Sequence, residues 1–180
     1  MKLDIVEKIE VPEGMDVKIE RGSITLKSGD KENTKKFDIG KILMSNKEKE
    51  IIVEAKKATK REIKMIKTIK AHIINMIKGL QEGFEYKLEA VFVHFPMTLN
   101  KENSEIIIKN FFGGKKPLSC KILEGTEVEI DKNFITVKSP DKELAGQMAA
   151  NLERTTKLRK KDRRKFQDGI FIVEKPGREI

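Results

Sequence analysis

A single cysteine, Cys120, stands in 180 residues. One thiol can form neither an internal disulfide nor a cluster of thiolate ligands, and its default role is that of a small buried hydrophobe. A chain this poor in cysteine suits a reducing, cytosolic compartment. Long apolar runs are missing too. No stretch approaches the roughly 18 uninterrupted apolar residues of a membrane span, and Met1-Lys2-Leu3-Asp4 does not open a secretory signal. The expectation is a soluble intracellular protein with no membrane partner. His72 and His94 are the only histidines, and neither lies in a HExxH-type or cysteine-containing pattern. Packing or surface positions are expected for both, and no metal or cofactor site. Serines and threonines fall in caps and strands without a nucleophile elbow. The carboxylates are interspersed with lysines as on a solvated surface, not set apart as an acid and base pair. The chain is therefore expected not to be an enzyme.

Charge, by contrast, is plentiful. Lys and Arg number 38 against 29 Asp and Glu, a formal charge of +9, which favours a polyanionic partner. Residues 1–82 and 83–180 share the excess almost equally, +5 and +4. Within the second half, acids outnumber bases up to residue 153, whereas residues 154–178 hold 10 basic groups and 3 acidic ones. The peak is Lys157-Leu158-Arg159-Lys160-Lys161-Asp162-Arg163-Arg164-Lys165, seven cations in nine residues. Such groups repel one another unless phosphates lie alongside, where binding releases condensed counterions. The guanidinium forks of Arg159, Arg163 and Arg164 fit phosphate oxygens and can stack on bases. RNA, not DNA, is the expected polyanion. Phe166-Gln167-Asp168-Gly169 and the alternating Ile170 and Ile172 follow at once, reading as a turn and a buried strand. The run is then held between a helix and a strand, which suits recognition of a folded RNA by shape. The alternative is a solvated helix face or a disordered basic arm.

A second candidate is Asn110-Phe111-Phe112-Gly113-Gly114-Lys115-Lys116-Pro117. Paired glycines, Gly113 and Gly114, let backbone amides approach a phosphate, and Lys115 and Lys116 add charge. Read structurally, the segment is a hairpin turn whose phenylalanines belong to the core. No Ser or Thr follows Gly114-Lys115 as in a Walker loop, and a GxxG clamp is absent.

An internal repeat sets the architecture. Shifted by 111 positions, residues 12–30 align without a gap on residues 123–141, with nine of nineteen identical. In each copy apolar residues alternate with polar ones, Val17 and Ile19 or Val128 and Ile130. A turn follows, Glu20-Arg21-Gly22 or Asp131-Lys132-Asn133, and a second alternating strand returns through Ile24 or Ile135. This is a β-hairpin, twice. Thr59-Lys60-Arg61-Glu62 has capping-box spacing, and Ile63, Ile66, Ile69, Ile73 and Ile77 recur at helical intervals up to Lys78-Gly79. Ser139-Pro140-Asp141 opens a second helix striped by Leu144, Met148 and Leu152, with Ala145 and Ala149 beside them. The fold class is α+β: two tandem duplicated domains, residues 1–82 and 83–180, each a small antiparallel sheet of three or four strands packed on one main helix. The boundary falls near Gln81-Glu82-Gly83, where a strand-like run, residues 84–93, begins before Phe95-Pro96 interrupts it. Domains of this size hide only roughly 60 to 65% of their unfolded surface, so docking or a partner helps them.

Several local strings converge on one pattern: Ala71-His72-Ile73-Ile74-Asn75-Met76-Ile77-Lys78-Gly79 running into Gly83-Phe84-Glu85-Tyr86-Lys87, then His94-Phe95-Pro96, Asn110-Phe111-Phe112-Gly113 and Phe166-Gln167-Asp168-Gly169-Ile170. Over almost its whole length the chain resembles the L-six family of large-subunit ribosomal proteins in its archaeal and eukaryotic form. The resemblance implies two duplicated α+β domains and rRNA binding mainly through the second. It also implies a position near the sarcin-ricin loop and the stalk base, beside neighbouring ribosomal proteins and the translational GTPases that dock there. It puts Lys115, Lys116, the run Lys157, Arg159, Lys160, Lys161, Arg163, Arg164 and Lys165, and Arg178 against RNA, with Asp168 and Gly169 shaping the turn that follows. The chain departs from the family's pattern at Phe112 and Gly114, where Leu and Glu are expected, and in residues 43–50. The competing reading is a free RNA chaperone or RNA-processing factor using the same basic surface.

Overall fold

The computed structural model describes residues 3–20, 22–29, 31–47 and 50–180. Arg21 in the first hairpin's turn and Asp30, the repeat partner of Asp141, lie outside them. The chain divides into two compact units, Met1–Glu82 and Gly83–Ile180.

In the first unit, strands β1 (Leu3–Glu10), β6 (Glu50–Ala58) and β5 (Leu43–Lys47) form one antiparallel sheet in the order β1-β6-β5. Strands β2 (Asp16–Glu20), β3 (Ser23–Ser28) and β4 (Lys31–Lys36) form another. Helix α1 (Lys60–Gln81) lies against both. Its Ile66, Ile69, Ile73, Met76 and Leu80 are buried in one core with Ile24 and Leu26 of β3 and Ile51 and Val53 of β6. The helix starts at Lys60 because the Glu62 carboxylate accepts the Thr59 N–H at 2.6 Å, which satisfies a donor the helix cannot. That bond, then the Thr59 hydroxyl, holds the Glu62 carboxyl below its ordinary range. The stop comes one turn later than the Lys78-Gly79 pair suggests. Gly79 is buried inside the helix, and Gly83, at φ +76°, supplies the left-handed residue that turns the chain away.

The second unit joins β11 (Glu127–Asp131), β12 (Phe134–Ser139), β7 (Phe84–Val91), β13 (Gly169–Lys175) and β14 (Arg178–Glu179) in that order. A three-stranded sheet sets β9 (Glu105–Lys109) between β10 (Leu118–Lys121) and β8 (Thr98–Glu102). Helix α2 (Lys142–Thr155) covers β7, β12 and β13, its first turn capped by the Asp141 carboxylate, which accepts the Glu143 N–H at 2.8 Å. Ala145, Met148, Ala149 and Leu152 bury against Leu88, Ile135, Val137 and Ile170. Leu144, read from the sequence as part of that stripe, is 37% exposed. A strict spacing of four drifts by about 40° per step on a helix of 3.6 residues per turn, so Ala145 takes the inward place.

The duplication is visible as register. Val17 pairs with Leu26 and Ile19 with Ile24. Shifted by the same interval, Val128 pairs with Val137 and Ile130 with Ile135. The single sheet per domain expected from the sequence is two sheets per unit. Three of the strands not read from the sequence, KENTKK in β4, LMSNK in β5 and TLNKE in β8, are edge strands. An edge strand with little apolar surface to bury shows little period-two signal. Ile135, fully buried, gives a simple check of the second core. Ile135→Val is expected to cost about 1 kcal/mol, read as a lowered denaturation midpoint with an unchanged denaturant slope.

Candidate nucleic-acid interface

Three loops of the second unit meet: residues 92–97 after β7, 110–117 after β9, and 156–168 between α2 and β13. The register of β13 on β7 pairs Gly169 with Val91, so the third loop enters its strand beside the start of the first. Asp168, 4% exposed, ties them together. Its Oδ1 accepts the N–H of Val93 at 2.8 Å and of His94 at 3.1 Å, and its Oδ2 lies 2.6 Å from His94 Nδ1. Burial pushes the Asp168 carboxyl up, but the two backbone donors and the His94 ring outweigh it and hold the group below the usual carboxylate range. The other end of the long loop is fixed by Thr156, 2% exposed, whose Oγ1 accepts the Ile170 N–H at 2.8 Å. Asn110 Nδ2 donates to the Pro96 carbonyl at 2.9 Å and joins the second loop to the first.

Four rings form the floor. His94 lies 5.4 Å from Phe166 and 5.5 Å from Phe112; Phe112 and Phe166 are 5.6 Å apart, and Phe95 meets Phe112 edge-on at 6.4 Å. These are ordinary aromatic-pair separations, each contributing about 1 kcal/mol beyond area burial. Phe112 holds φ +52°, a left-handed conformation costly for a bulky residue, and its ring packing offsets that cost.

Within the basic run, Asp162 is the internal anchor. Its side chain accepts the Arg164 backbone N–H at 3.0 Å and both arms of the Arg164 guanidinium, at 3.2 and 3.0 Å, while its carbonyl accepts the N–H groups of Lys165 and Phe166. The Arg164 side chain, then its backbone, holds the Asp162 carboxyl low. Lys157, Arg159, Lys160, Lys161, Arg163 and Lys165 are all exposed, and among the described residues none has a carboxylate partner. Lys161 Nζ sits 5.1 Å above the Phe166 ring and the Arg163 guanidinium 5.8 Å above Phe171, contacts that aim these cations without neutralising them.

Lys115 and Lys116 are exposed and follow, three and four residues on, the Phe112 that packs on Phe166. The proposed use of the glycine amides does not hold. Gly113 N–H donates to the Asn110 carbonyl and Gly114 N–H to that of Phe111, because a short 3-10 turn at Phe111–Gly113 consumes them. Gly113 is still required by its φ of +71° and by the Phe95 ring, which a Cβ there would meet at 3.3 Å; Gly114 has an ordinary φ of −69°. Phe111 packs on the core, as the turn reading has it, whereas Phe112 joins the ring cluster. Arg178 pairs with Lys175, six residues along β13 from Gly169 and so on the order of 20 Å from the point where the basic loop enters that strand. Gly169 holds φ +157°, and a Cβ there would lie 3.2 Å from the Phe171 ring. Gly169→Ala is expected to cost about 2 kcal/mol, read by chemical denaturation.

The sequence assigns His94 a packing or surface position and carries no local signal for Thr156. The string His94-Phe95-Pro96 was visible, but its partner Asp168 is 74 residues away.

A basic loop tied down at both ends, beside a cluster of aromatic rings, is a surface suited to a polyanion. The family model described as ribosomal protein L6 matches residues 95–169, from Phe95 through the basic loop to Gly169. The chain is 39% identical over 174 residues to the large ribosomal subunit protein uL6 of Methanococcus vannielii, covering 97% of this chain and 96% of that one. It is 38% identical over 171 residues to the uL6 of Methanobrevibacter smithii, covering 95% and 96%. The chain belongs to the ribosomal protein L6 family.

Proposed function

We propose that the second unit is the main rRNA-binding domain and that its basic loop, residues 157–165, with Lys115 and Lys116, seats on large-subunit rRNA near the sarcin-ricin loop and stalk base. As a member of its family the chain is a structural, non-enzymatic constituent of the large ribosomal subunit in the cytoplasm, associated with its rRNA and proteins. The observation that carries the finer reading is the cluster of exposed cations, of which only Arg164 has a carboxylate partner, held at both ends by Thr156 and Asp168. Free in water such an array repels itself; against phosphates it releases counterions. The tethers orient it before contact, so less entropy is lost on binding. Phosphate contacts dominate affinity and position the unit, and base readout is slight. By supporting this region of rRNA the protein keeps the docking surface of translational GTPases in shape.

Sedimentation of a lysate with and without nuclease tests the assembly. Stoichiometric presence in the large-subunit peak, lost on nuclease treatment, is the expected result. A predominantly free pool, or complexes that survive nuclease, would overturn it in favour of a free RNA chaperone or a protein adaptor.

A further inference from the structure

Phe95 stands apart from the other three rings of the cluster. It is 47% exposed, although it lies in a segment held by the Asp168 and Asn110 bonds. One side of its ring is occupied: a Cβ built on Gly113 would lie 3.3, 3.4 and 3.4 Å from three consecutive ring carbons. Near-equal distances to three adjacent atoms place that point over the ring face, since an in-plane approach would leave the outer two about 0.9 Å farther away. Glycine, with no Cβ, is what lets the backbone lie there. Phe112 meets the ring edge-on at 6.4 Å. The exposed half of the residue is thus the opposite face and its rim, a flat apolar surface backed by packed atoms. The Phe112 ring that borders it packs in turn on Phe166, above which the Lys161 ammonium sits. A fixed ring with one face open, in the same loop cluster as cations without carboxylate partners, is the combination that captures an unstacked nucleobase while the cations hold its phosphates.

We propose that the open face of Phe95 stacks one unpaired base of the RNA that the basic loop grips. This rests on the rRNA-binding reading and adds a single-stranded element to it. The cations of the same loop cluster favour a nucleotide over an apolar protein segment, which offers them no counter-charge.

The chain contains no tryptophan, so F95W places one stacking fluorophore at the site. With deproteinised large-subunit rRNA, the emission of the F95W variant is expected to be quenched at least twofold at saturation, and a fully paired 20-base-pair RNA duplex is expected to leave it unquenched. Phe95→Ala and Phe95→Leu are both expected to weaken binding to the same rRNA about tenfold without altering its salt dependence, because no phosphate contact is removed. Quenching by the duplex equal to that by rRNA, or full affinity in Phe95→Leu, would overturn the proposal. An unchanged salt dependence in a variant lacking Arg159, Lys160, Arg163 and Arg164 would instead overturn the rRNA-binding reading. Thermal midpoints matching the parent protein confirm that each variant is folded.

Discussion

Replacing Arg159, Lys160, Arg163 and Arg164 together with alanine is expected to weaken binding to deproteinised large-subunit rRNA on the order of a hundredfold to a thousandfold near 0.1 M salt. The size follows from counterion release. Each neutralised phosphate contributes about 0.7 to 0.9 to the slope of log K against log salt, so four lost contacts flatten that slope by about three and remove about two to three decades of affinity near 0.1 M salt. Filter binding at four or five salt concentrations reads both quantities. Stability should be almost untouched: the four side chains are exposed, and the one ion pair among them, Arg164 with Asp162, is a surface pair. Equal slopes for variant and parent would show that the loop does not meet phosphate.

Asp168→Ala is expected to be the most damaging single change in the interface, lowering stability by about 3 kcal/mol and the thermal midpoint of a unit this size by on the order of 10 °C. The carboxylate is 4% exposed and holds two backbone N–H groups and the His94 ring. Removing it takes the acceptor from all three donors and unties the loop between Val93 and His94 from the start of β13. Asp168→Asn, which keeps an acceptor oxygen for Val93 and His94, should lose less. The two differ with pH in a defined way. Because the Asp168 carboxyl ionises at lower pH in the folded chain than in the unfolded one, its contribution is complete above the ordinary carboxylate value near 4. It fades as pH falls through the lowered folded value. The advantage of the parent protein over Asp168→Asn is therefore expected to narrow in acid, as read by urea denaturation between about pH 7 and 3. An advantage that stays constant or grows on acidification would contradict the hydrogen-bonded carboxylate described here.

The hairpins and helices were legible because each carries its own period. Val128 and Ile130 alternate with acids along one strand, and Ile66, Ile69 and Ile73 recur along one helix face, so local spacing suffices. The edge strands were not legible, since KENTKK in β4 has a partner on one side only and little to bury. The interface divides in the same way. Its cations are consecutive in the sequence and announce themselves as charge density. What holds them is long-range: Asp168 reaches His94 across 74 residues, and Phe112 reaches Phe166 across the whole of α2. Composition also misled at Gly113-Gly114. Two adjacent glycines suggest free amides, whereas the 3-10 turn engages both. Phe112 is the ring that links Phe95 to Phe166 and His94.

The central claim is that residues 157–165 lie against the rRNA backbone in the assembled particle, and tethered cleavage reads this directly. Native Cys120 is 6% exposed, so a cysteine introduced at Arg159 can be coupled selectively to an iron chelate that cuts nearby RNA. Lys142, at the start of α2 and about 20 Å of helix away from the loop, serves as the reference position. Strong, localised cuts in large-subunit rRNA from the Arg159→Cys protein, with weak or absent cuts from Lys142→Cys, are the expected result. Cleavage from position 159 no stronger than from position 142 would contradict the account.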